Sequence, residues 1–221
     1  MILNIRRRIT KQKHVTILRS FVVDISAVSA SRIAGVNRKT ADRYYNIIRE
    51  VVFLDAVRER KEMKLGNGIE IDESYFGPRR VRGKRGRGAG SKVVVLGLLK
   101  RSGRIYTKII KKAEKKEILP VILRTVKSGS DIYTDGWKSY DALAVYGYNH
   151  KKVIHERNEF SDKKETHING VESFWSYAKR RMNKFNGIRK VFFQRHLLES
   201  EWRFNHRKTI MHDIEKLLRN F

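Results

Sequence analysis

The chain contains no cysteine, has no long apolar run, and carries few acidic residues for its length. Without cysteine it can form neither disulfide bonds nor thiolate zinc sites, which fits a reducing cytoplasm. No apolar segment approaches the roughly 18 residues that a membrane-spanning helix needs. The N-terminal residues, Met1–Arg8, lack the apolar core and the cleavage site of a secretory signal. These absences predict a cytoplasmic protein without a membrane partner.

The shortage of acid leaves a strongly basic protein. Among 221 residues, 50 lysines and arginines outnumber 23 aspartates and glutamates, and the net charge is +27. A field of this sign attracts DNA, RNA or an anionic membrane surface. The hydrophobic fraction, 40%, is sufficient for a folded core. The charge predicts a nucleic-acid partner, although a ribosomal-type RNA binder or a merely solubilising surface would also account for it.

Residues 1–62 are predicted to form a helical module with a helix-turn-helix. A short helix would carry Ile33 and Ala34 inward, Gly35 would permit the turn, and Asn37 would cap the next helix. The start of that second helix is where a recognition helix meets DNA. The predicted DNA contacts there are Arg38, Lys39, Thr40 and Arg43. The alternative is an ordinary helical hairpin with a basic surface.

Residues 63–221 are predicted to form a second, α/β domain. Apolar alternation and turn residues indicate three consecutive strands, followed by helix, strand, helix, strand and terminal helices. The predicted strands are 69–76, 92–100, 104–110, 131–134 and 152–155, and the predicted helices are 115–127, one starting near Trp137, 167–183, 191–205 and 209–219. This order is that of a ribonuclease H-like mixed sheet flanked by helices.

A glycine-rich, intensely basic loop separates the first two predicted strands. Its composition does not match a nucleotide-binding fingerprint, which needs a strand-turn-helix context. We interpret it as an arm that follows a nucleic-acid backbone. The predicted DNA contacts in this loop are Arg79, Arg80, Arg82, Lys84, Arg85 and Arg87.

Three carboxylates lie at the edges of ordered apolar segments: Asp72 within a strand, Asp135 at a strand end and Glu172 on a helix. Carboxylates held close together repel one another unless a cation neutralises them, and oxygen ligands suit Mg²⁺ or Mn²⁺. Two such ions could serve an in-line displacement at phosphate. Each residue alone has a plainer interpretation: a turn or helix cap for Asp135, and a solvated helix face for Glu172. The strand alternation does not separate Asp72 from its neighbour Glu70.

The helix that carries Glu172 has two distinct faces. One face is predicted to pack in the core: Val171, Phe174, Trp175, Ala178 and Met182. The other is polar and could meet a substrate: Asn169, Glu172, Ser176, Lys179 and Asn183. Arg180 and Arg181 follow Lys179, and we include them with Asn169 and Ser176 among the predicted DNA contacts.

Four blocks of this sequence resemble the bacterial insertion-sequence transposases with a DDE catalytic domain. The blocks are 71–77 (Ile-Asp-Glu-Ser-Tyr-Phe-Gly), 133–140 (Tyr-Thr-Asp-Gly-Trp-Lys-Ser-Tyr), 167–181 (starting His-Ile-Asn-Gly-Val-Glu-Ser-Phe-Trp) and 199–205 (Glu-Ser-Glu-Trp-Arg-Phe-Asn). The resemblance implies a ribonuclease H-like fold with Asp72, Asp135 and Glu172 as metal-binding catalytic residues. It also implies that Lys179 is the basic residue that accompanies the glutamate. The resemblance, not the periodicity, selects Asp72 over Glu70 and Glu73.

The same resemblance implies an activity and its partners. The expected activity is metal-dependent cleavage and transfer of DNA strands, and the expected cofactor is Mg²⁺ or Mn²⁺, with two ions in the site. The expected partners are the double-stranded terminal inverted repeats and target DNA, bound by a dimer or larger assembly at the bacterial nucleoid. Two alternatives are a metal-dependent nuclease without joining activity and an inactive copy that acts as a DNA-binding regulator.

Overall fold

A computed structural model describes residues 9–77, 92–101, 103–135, 140, 143–153, 168–185 and 187–220. Its helices are α1 (Lys11–Val22), α2 (Ala27–Ala34), α3 (Arg38–Glu62), α4 (Lys115–Thr125), α5 (Asn169–Asn183), α6 (Lys190–Asn205) and α7 (Ile210–Arg219). Its strands are β1 (Ile69–Phe76), β2 (Val93–Lys100), β3 (Ile105–Ile110), β4 (Asp131–Asp135) and β5 (Asn149–Val153). The predicted helix near Trp137 falls largely outside the described residues.

The five strands form one mixed sheet in the order β3-β2-β1-β4-β5. β1 pairs antiparallel with β2, and β2 pairs antiparallel with β3. β4 lies parallel to β1 on its other side and parallel to β5. The α/β class and the ribonuclease H-like order that the sequence predicts are therefore confirmed.

The two faces of β1 have different surroundings because successive side chains of a strand point in opposite directions. Ile69 and Ile71 enter a core cluster that includes Ile118 and Ile122 of α4. The opposite face, which carries Glu70 and Asp72, packs against α5. Burial along α5 follows the prediction: Val171, Phe174, Trp175, Ala178 and Met182 are buried, whereas Asn169, Glu172, Ser176, Lys179 and Asn183 are exposed.

The described chain divides into two units. The sheet unit comprises Glu62–Leu197, and the helical unit comprises residues up to Lys61 together with residues from Leu198 onward. The predicted domain boundary falls after residue 62. The prediction also places the terminal helices with the sheet, whereas α7 and the part of α6 from Leu198 onward belong to the helical unit.

The core of the helical unit combines both ends of the chain. Its buried side chains include Ile17, Phe21, Ala30, Tyr45, Ile48, Val52, Leu198, Trp202 and Ile214. The buried guanidinium of Arg203 donates hydrogen bonds to the carbonyl of Phe21 at 2.8 Å and to Glu199 at 3.0 Å. These bonds satisfy polar groups that would be costly to bury alone.

The turn between α2 and α3 largely follows the sequence prediction. Gly35 adopts a left-handed conformation with φ of 58°, and Asn37 Oδ1 accepts the Lys39 backbone N–H at 2.8 Å as the cap of α3. Ala34 is buried, as predicted. Ile33 is 60% exposed, so the prediction that it points inward is wrong: Ala30 occupies the buried position one turn before Ala34.

Among the described residues, no helix has the length and apolar character needed to cross a lipid bilayer.

Candidate active site

Asp72 lies at the centre of the α5-facing side of the sheet. Its Oδ2 accepts a hydrogen bond from the indole Nε1–H of Trp175 at 3.0 Å. Burial, with added repulsion from the charges of Asp135 and Glu172, raises the pKa of Asp72 to about 6. The repulsion shows that the three predicted carboxylates are close enough to interact, although they come from β1, β4 and α5.

The parallel pairing of β1 with β4 explains the position of Asp135. Ile69 lies opposite Ile132 and Glu70 opposite Tyr133, and the same offset aligns Asp72 with Asp135. Oδ1 of Asp135 is buried and, within the described part of the chain, accepts no hydrogen bond. A buried carboxylate oxygen without a donor is unfavourable unless another positive partner can reach it.

Glu172 lies in the first turn of α5 and is exposed. Its backbone N–H donates to the carbonyl of Ile168 at 3.2 Å. The positive end of the helix dipole favours an acidic residue at this place.

Lys179 lies two turns after Glu172 on the same exposed face. Its Nζ is 5.7 Å from the centre of the Phe76 ring. Partial burial lowers the pKa of Lys179, the charge of Lys92 lowers it further, and the charge of Asp72 opposes both. The ammonium of Lys179 and the carboxylate of Asp72 are therefore close enough for their charges to interact.

The two acidic neighbours of Asp72 have other partners. Glu73 points to the opposite face of β1, where it accepts a hydrogen bond from the buried Tyr140 hydroxyl, and burial raises the pKa of Glu73 to about 7. Glu70 shares the face of Asp72, but its carboxylate is bonded to Arg101 and to the backbone of Val171. These surroundings support Asp72, rather than either neighbour, as the metal ligand.

The residues present fit a divalent cation. Asp72, Asp135 and Glu172 offer the hard oxygen ligands that Mg²⁺ and Mn²⁺ favour. A cation would relieve the repulsion that adds to the effect of burial on the pKa of Asp72, and it would give the buried Oδ1 of Asp135 a positive partner. Two features of this structure thus favour a cation at the place that the sequence predicts.

A second cluster of possible ligands occurs in the helical unit. Among the described residues, ligand atoms of Asp55, Glu59 and His206 lie within 4.8 Å of one another. Asp55 is already paired: it accepts hydrogen bonds from Arg58 and from Trp202 Nε1. His206 places its two ring nitrogens 3.2 Å from Glu59 and 2.7 Å from Asp213. The cluster is a satisfied hydrogen-bond network in which His206 bridges two acids.

The predicted DNA contacts differ in their surroundings. Arg38, Lys39 and Arg43 are exposed and Thr40 is partly exposed on α3, and Asn169, Ser176 and Arg180 are exposed on α5. The contacts predicted in the basic loop, Arg79, Arg80, Arg82, Lys84, Arg85 and Arg87, lie outside the described residues. Arg181 is only 4% exposed, and its guanidinium donates to the carbonyl of His196 at 3.4 Å. The prediction that Arg181 contacts DNA is therefore corrected, because its turn of α5 points it inward with Ala178 and Met182.

Helical periodicity predicts only a core position for Trp175 and gives no indication of its hydrogen bond to Asp72. The available signal was Gly97, a glycine inside the apolar strand β2, because such a glycine often marks a close approach of another group. Gly97 lies opposite Asp72 in the sheet. A Cβ atom at Gly97 would lie 2.5 Å from Cζ2 of Trp175. The missing side chain thus provides the space in which the indole reaches Asp72.

The chain is similar to known proteins. Residues 64–205 match the family described as the ISXO2-like transposase domain. An uncharacterized transposase-like protein of Haemophilus influenzae is 40% identical over 102 residues, which are 46% of this chain and 81% of that protein.

Solved structures share a weaker similarity. A simian T-cell lymphotropic virus intasome in complex with the PP2A regulatory subunit B56 gamma has 12% identity and a TM-score of 0.41, over 86% of this chain and 68% of its own. The Mos1 strand transfer complex has 11% identity and a TM-score of 0.33, over 92% of this chain and 76% of its own.

The family match places this protein in the class of transposases, and it covers Asp72, Asp135 and Glu172 with the elements that carry them. The chain belongs to the ISXO2-like transposase family. The resemblance to insertion-sequence DDE transposases that the sequence motifs indicate is confirmed.

Proposed function

We propose that this protein binds the ends of a bacterial insertion sequence and catalyses metal-dependent cleavage and transfer of DNA strands. The observation that carries the proposal is the meeting of Asp72, Asp135 and Glu172 from three different elements, with the buried Oδ1 of Asp135 left without a hydrogen-bond donor. The family match supports the class of reaction.

Each residue has a distinct role in this proposal. Asp72, Asp135 and Glu172 hold Mg²⁺ or Mn²⁺, with two ions as the expected number. Bound divalent ions would supply Lewis-acid assistance to displacement at a DNA phosphate. Trp175 fixes the Asp72 carboxylate through the hydrogen bond to Oδ2. Lys179 offers an ammonium to a DNA phosphate at the edge of the site.

DNA contacts extend over two surfaces. Arg38, Lys39, Thr40 and Arg43 on α3 would recognise the terminal inverted repeats. Asn169, Ser176 and Arg180 surround Glu172 on α5 and would hold the strand that reacts. The net charge of +27 supports salt-sensitive binding to double-stranded DNA. Because two element ends must be joined to one target, we propose a dimer or larger assembly on DNA.

The central experiment measures cleavage and joining with end DNA, a supercoiled target plasmid and Mg²⁺ or Mn²⁺. We expect joined products from the wild type and none from Asp72→Asn, which keeps the size of the side chain but removes its charge. Glu114→Gln is the matched control, since Glu114 is a partly exposed acid paired with Lys112 and Lys116. Full strand transfer by Asp72→Asn would refute the catalytic assignment, and cleavage without joining would indicate a nuclease.

End recognition is tested separately by DNA binding without metal. We expect Lys39→Ala and Arg43→Ala each to weaken binding of end DNA. For each lost phosphate contact, the slope of log binding constant against log salt concentration should decrease in magnitude by about one. Lys108→Ala, which removes an exposed lysine from β3, should leave the binding curve unchanged. Equal binding by all three variants would remove α3 from the proposed interface.

A further inference from the structure

Glu70 is a buried acid, 1% exposed, that has no part in the proposed chemistry. It lies two residues before Asp72 on the same face of β1. A carboxylate is rarely buried to this degree without specific partners. Its partners therefore indicate why the chain keeps a charge at this position.

One oxygen of Glu70 binds the start of α5. Oε2 accepts the backbone N–H of Val171 at 2.9 Å, from a residue 101 positions away in the sequence. The first N–H groups of a helix lack partners within the helix and need acceptors from elsewhere. The capping residue of α5, Ile168, has an apolar side chain and makes no side-chain capping bond. Glu70 thus provides from β1 an acceptor that the helix itself lacks.

The other oxygen of Glu70 is linked to β4 through an arginine. Oε1 accepts a hydrogen bond from Nε of Arg101 at 3.1 Å. The guanidinium of Arg101 lies 3.6 Å from the centre of the Tyr133 ring. Tyr133 belongs to β4 and precedes Asp135 by two residues. Arg101 therefore balances the buried charge and joins Glu70 to the strand that carries Asp135.

A glycine allows the close approach of β1 and α5. A Cβ atom at Gly170 would lie 2.7 Å from Oε2 of Glu70 and 2.6 Å from Cδ2 of Leu99. Any larger residue would push the first turn of α5 away from the sheet. The absence of a side chain at position 170 is thus a condition for the bond between Glu70 and Val171.

The residues that make these contacts are near neighbours of the three acids in the sequence. Glu70 lies two residues from Asp72, Tyr133 two residues from Asp135, and Val171 one residue from Glu172. We propose that Glu70 is a positioning residue that fixes the first turn of α5 to β1 and thereby sets Glu172 opposite Asp72. This inference rests on the proposed role of Glu172 as a metal ligand, but the anchoring of α5 can be tested by itself.

Two substitutions test the anchor in different ways. Glu70→Gln removes the charge and weakens the bond to Val171. Gly170→Ala keeps the carboxylate and its charge but fills the space that the bond needs. A purely electrostatic contribution of Glu70 to cation binding would be lost only in Glu70→Gln. Tyr148→Phe is the control for lost stability, since it removes a buried hydrogen bond to the Val126 carbonyl in the same unit.

The first measurement is hydrogen exchange of the 221-residue chain without metal. In Glu70→Gln and Gly170→Ala we expect the amide of Val171 to exchange roughly tenfold faster, because a hydrogen bond to a charged acceptor is lost. Amides of β2 and β3 should keep their protection, and Tyr148→Phe should leave Val171 unchanged. Unchanged protection of Val171 in both variants would overturn the proposal.

The second measurement is calorimetric titration with Mn²⁺ alone. We expect both variants to bind Mn²⁺ roughly tenfold or more weakly, as is typical when a residue that orients metal ligands is changed, and Tyr148→Phe to bind it as the wild type does. Wild-type affinity in both variants would overturn the positioning role even if Asp72→Asn is inactive. If Asp72→Asn itself binds Mn²⁺ normally, the proposed metal site is wrong, and the exchange of Val171 alone decides whether Glu70 anchors α5.

Discussion

The indole Nε1–H of Trp175 and Oδ2 of Asp72 form a 3.0 Å hydrogen bond between α5 and β1. Trp175 therefore joins the core of the sheet unit to the carboxylate at its centre. An indole can only donate, so this bond favours the charged form of Asp72 and fixes one of its oxygens.

Trp175→Phe should impair the site while it preserves most of the packing. The bond from Trp175 lowers the pKa of Asp72 against the larger effect of burial, so its loss should raise the pKa further. We expect roughly tenfold lower strand-transfer activity and an acidic limb of the pH–rate profile displaced to higher pH. Trp202→Phe is the matched control, because Trp202 also donates to a carboxylate, that of Asp55, in the helical unit. An undisplaced profile in Trp175→Phe would contradict this role.

Gly97→Ala should disturb the same contact from the other side. The added methyl group would lie 2.5 Å from Trp175 Cζ2 and 3.3 Å from Val171 Cγ2. Overpacking of this kind typically costs about 1–3 kcal/mol, and we expect a lower denaturation midpoint together with reduced activity. Gly66→Ala, whose methyl group would meet the flexible Lys127 side chain, should be nearly neutral. Equal behaviour of the two variants would show that Gly97 is not needed for this close approach.

Arg180 and Arg181 should respond in opposite ways to substitution by methionine. Arg180→Met removes an exposed charge beside the proposed active site and should weaken DNA binding without much effect on stability. Arg181→Met removes a buried guanidinium that donates to His196, and it should lower the free energy of unfolding by roughly 1–3 kcal/mol. Chemical denaturation and DNA titration of both variants separate these effects. A stable Arg181→Met with weak DNA binding would restore the original prediction for Arg181.

His206 should make the stability of the helical unit depend on pH. Burial alone would lower the pKa of His206, but hydrogen bonds to Glu59 and Asp213 and their charges raise it above 6.5. The stability from this bridge should therefore be fully present below about pH 6.5. It should be lost as the pH rises through the higher folded-state pKa.

Denaturation as a function of pH, with His206→Gln for comparison, measures this dependence. We expect the difference in unfolding free energy between wild type and His206→Gln to shrink as the pH rises. Well below pH 6.5 the bridge should also weaken, because Asp213 becomes protonated. The pKa of Asp213 is lowered in the folded state, so its contribution to stability is lost as the pH falls through that pKa. His212→Gln, at an exposed neighbouring position, should keep the loss of stability at high pH and differ from the wild type only at low pH, because the charge of His212 also lowers the pKa of Asp213. A difference that stays constant with pH would exclude a charged His206 bridge.

Much of the fold could be predicted because its signals are local. The bounds of β1, Ile69–Phe76, coincide with the predicted strand, since a glycine turn and a run of alternating residues delimit it. The polar and apolar faces of α5 were also predictable, because helical periodicity determines them. The family motifs predict Asp72, Asp135 and Glu172. The register of β1 and β4 aligns the two aspartates, whereas the position of Glu172 depends on how α5 packs against β1.

The remaining features depend on contacts between distant segments. Periodicity places Glu70 and Asp72 on one face, but only the approach of α5 gives them different partners. Arg181 belongs to a basic run that looks solvent-exposed in the sequence, yet its turn of α5 buries it. Ile33 was assigned to the interior because it is apolar, although the smaller Ala30 and Ala34 fill that space.

The helical unit is assembled from the two ends of the chain, residues up to Lys61 and residues from Leu198 onward. During translation, α1 to α3 are synthesised before Trp202 and Ile214, which complete their core. A chain that stops before α6 would thus have the helices α1 to α3 without a finished interior. We expect such truncated chains to be degraded rather than to accumulate as folded protein.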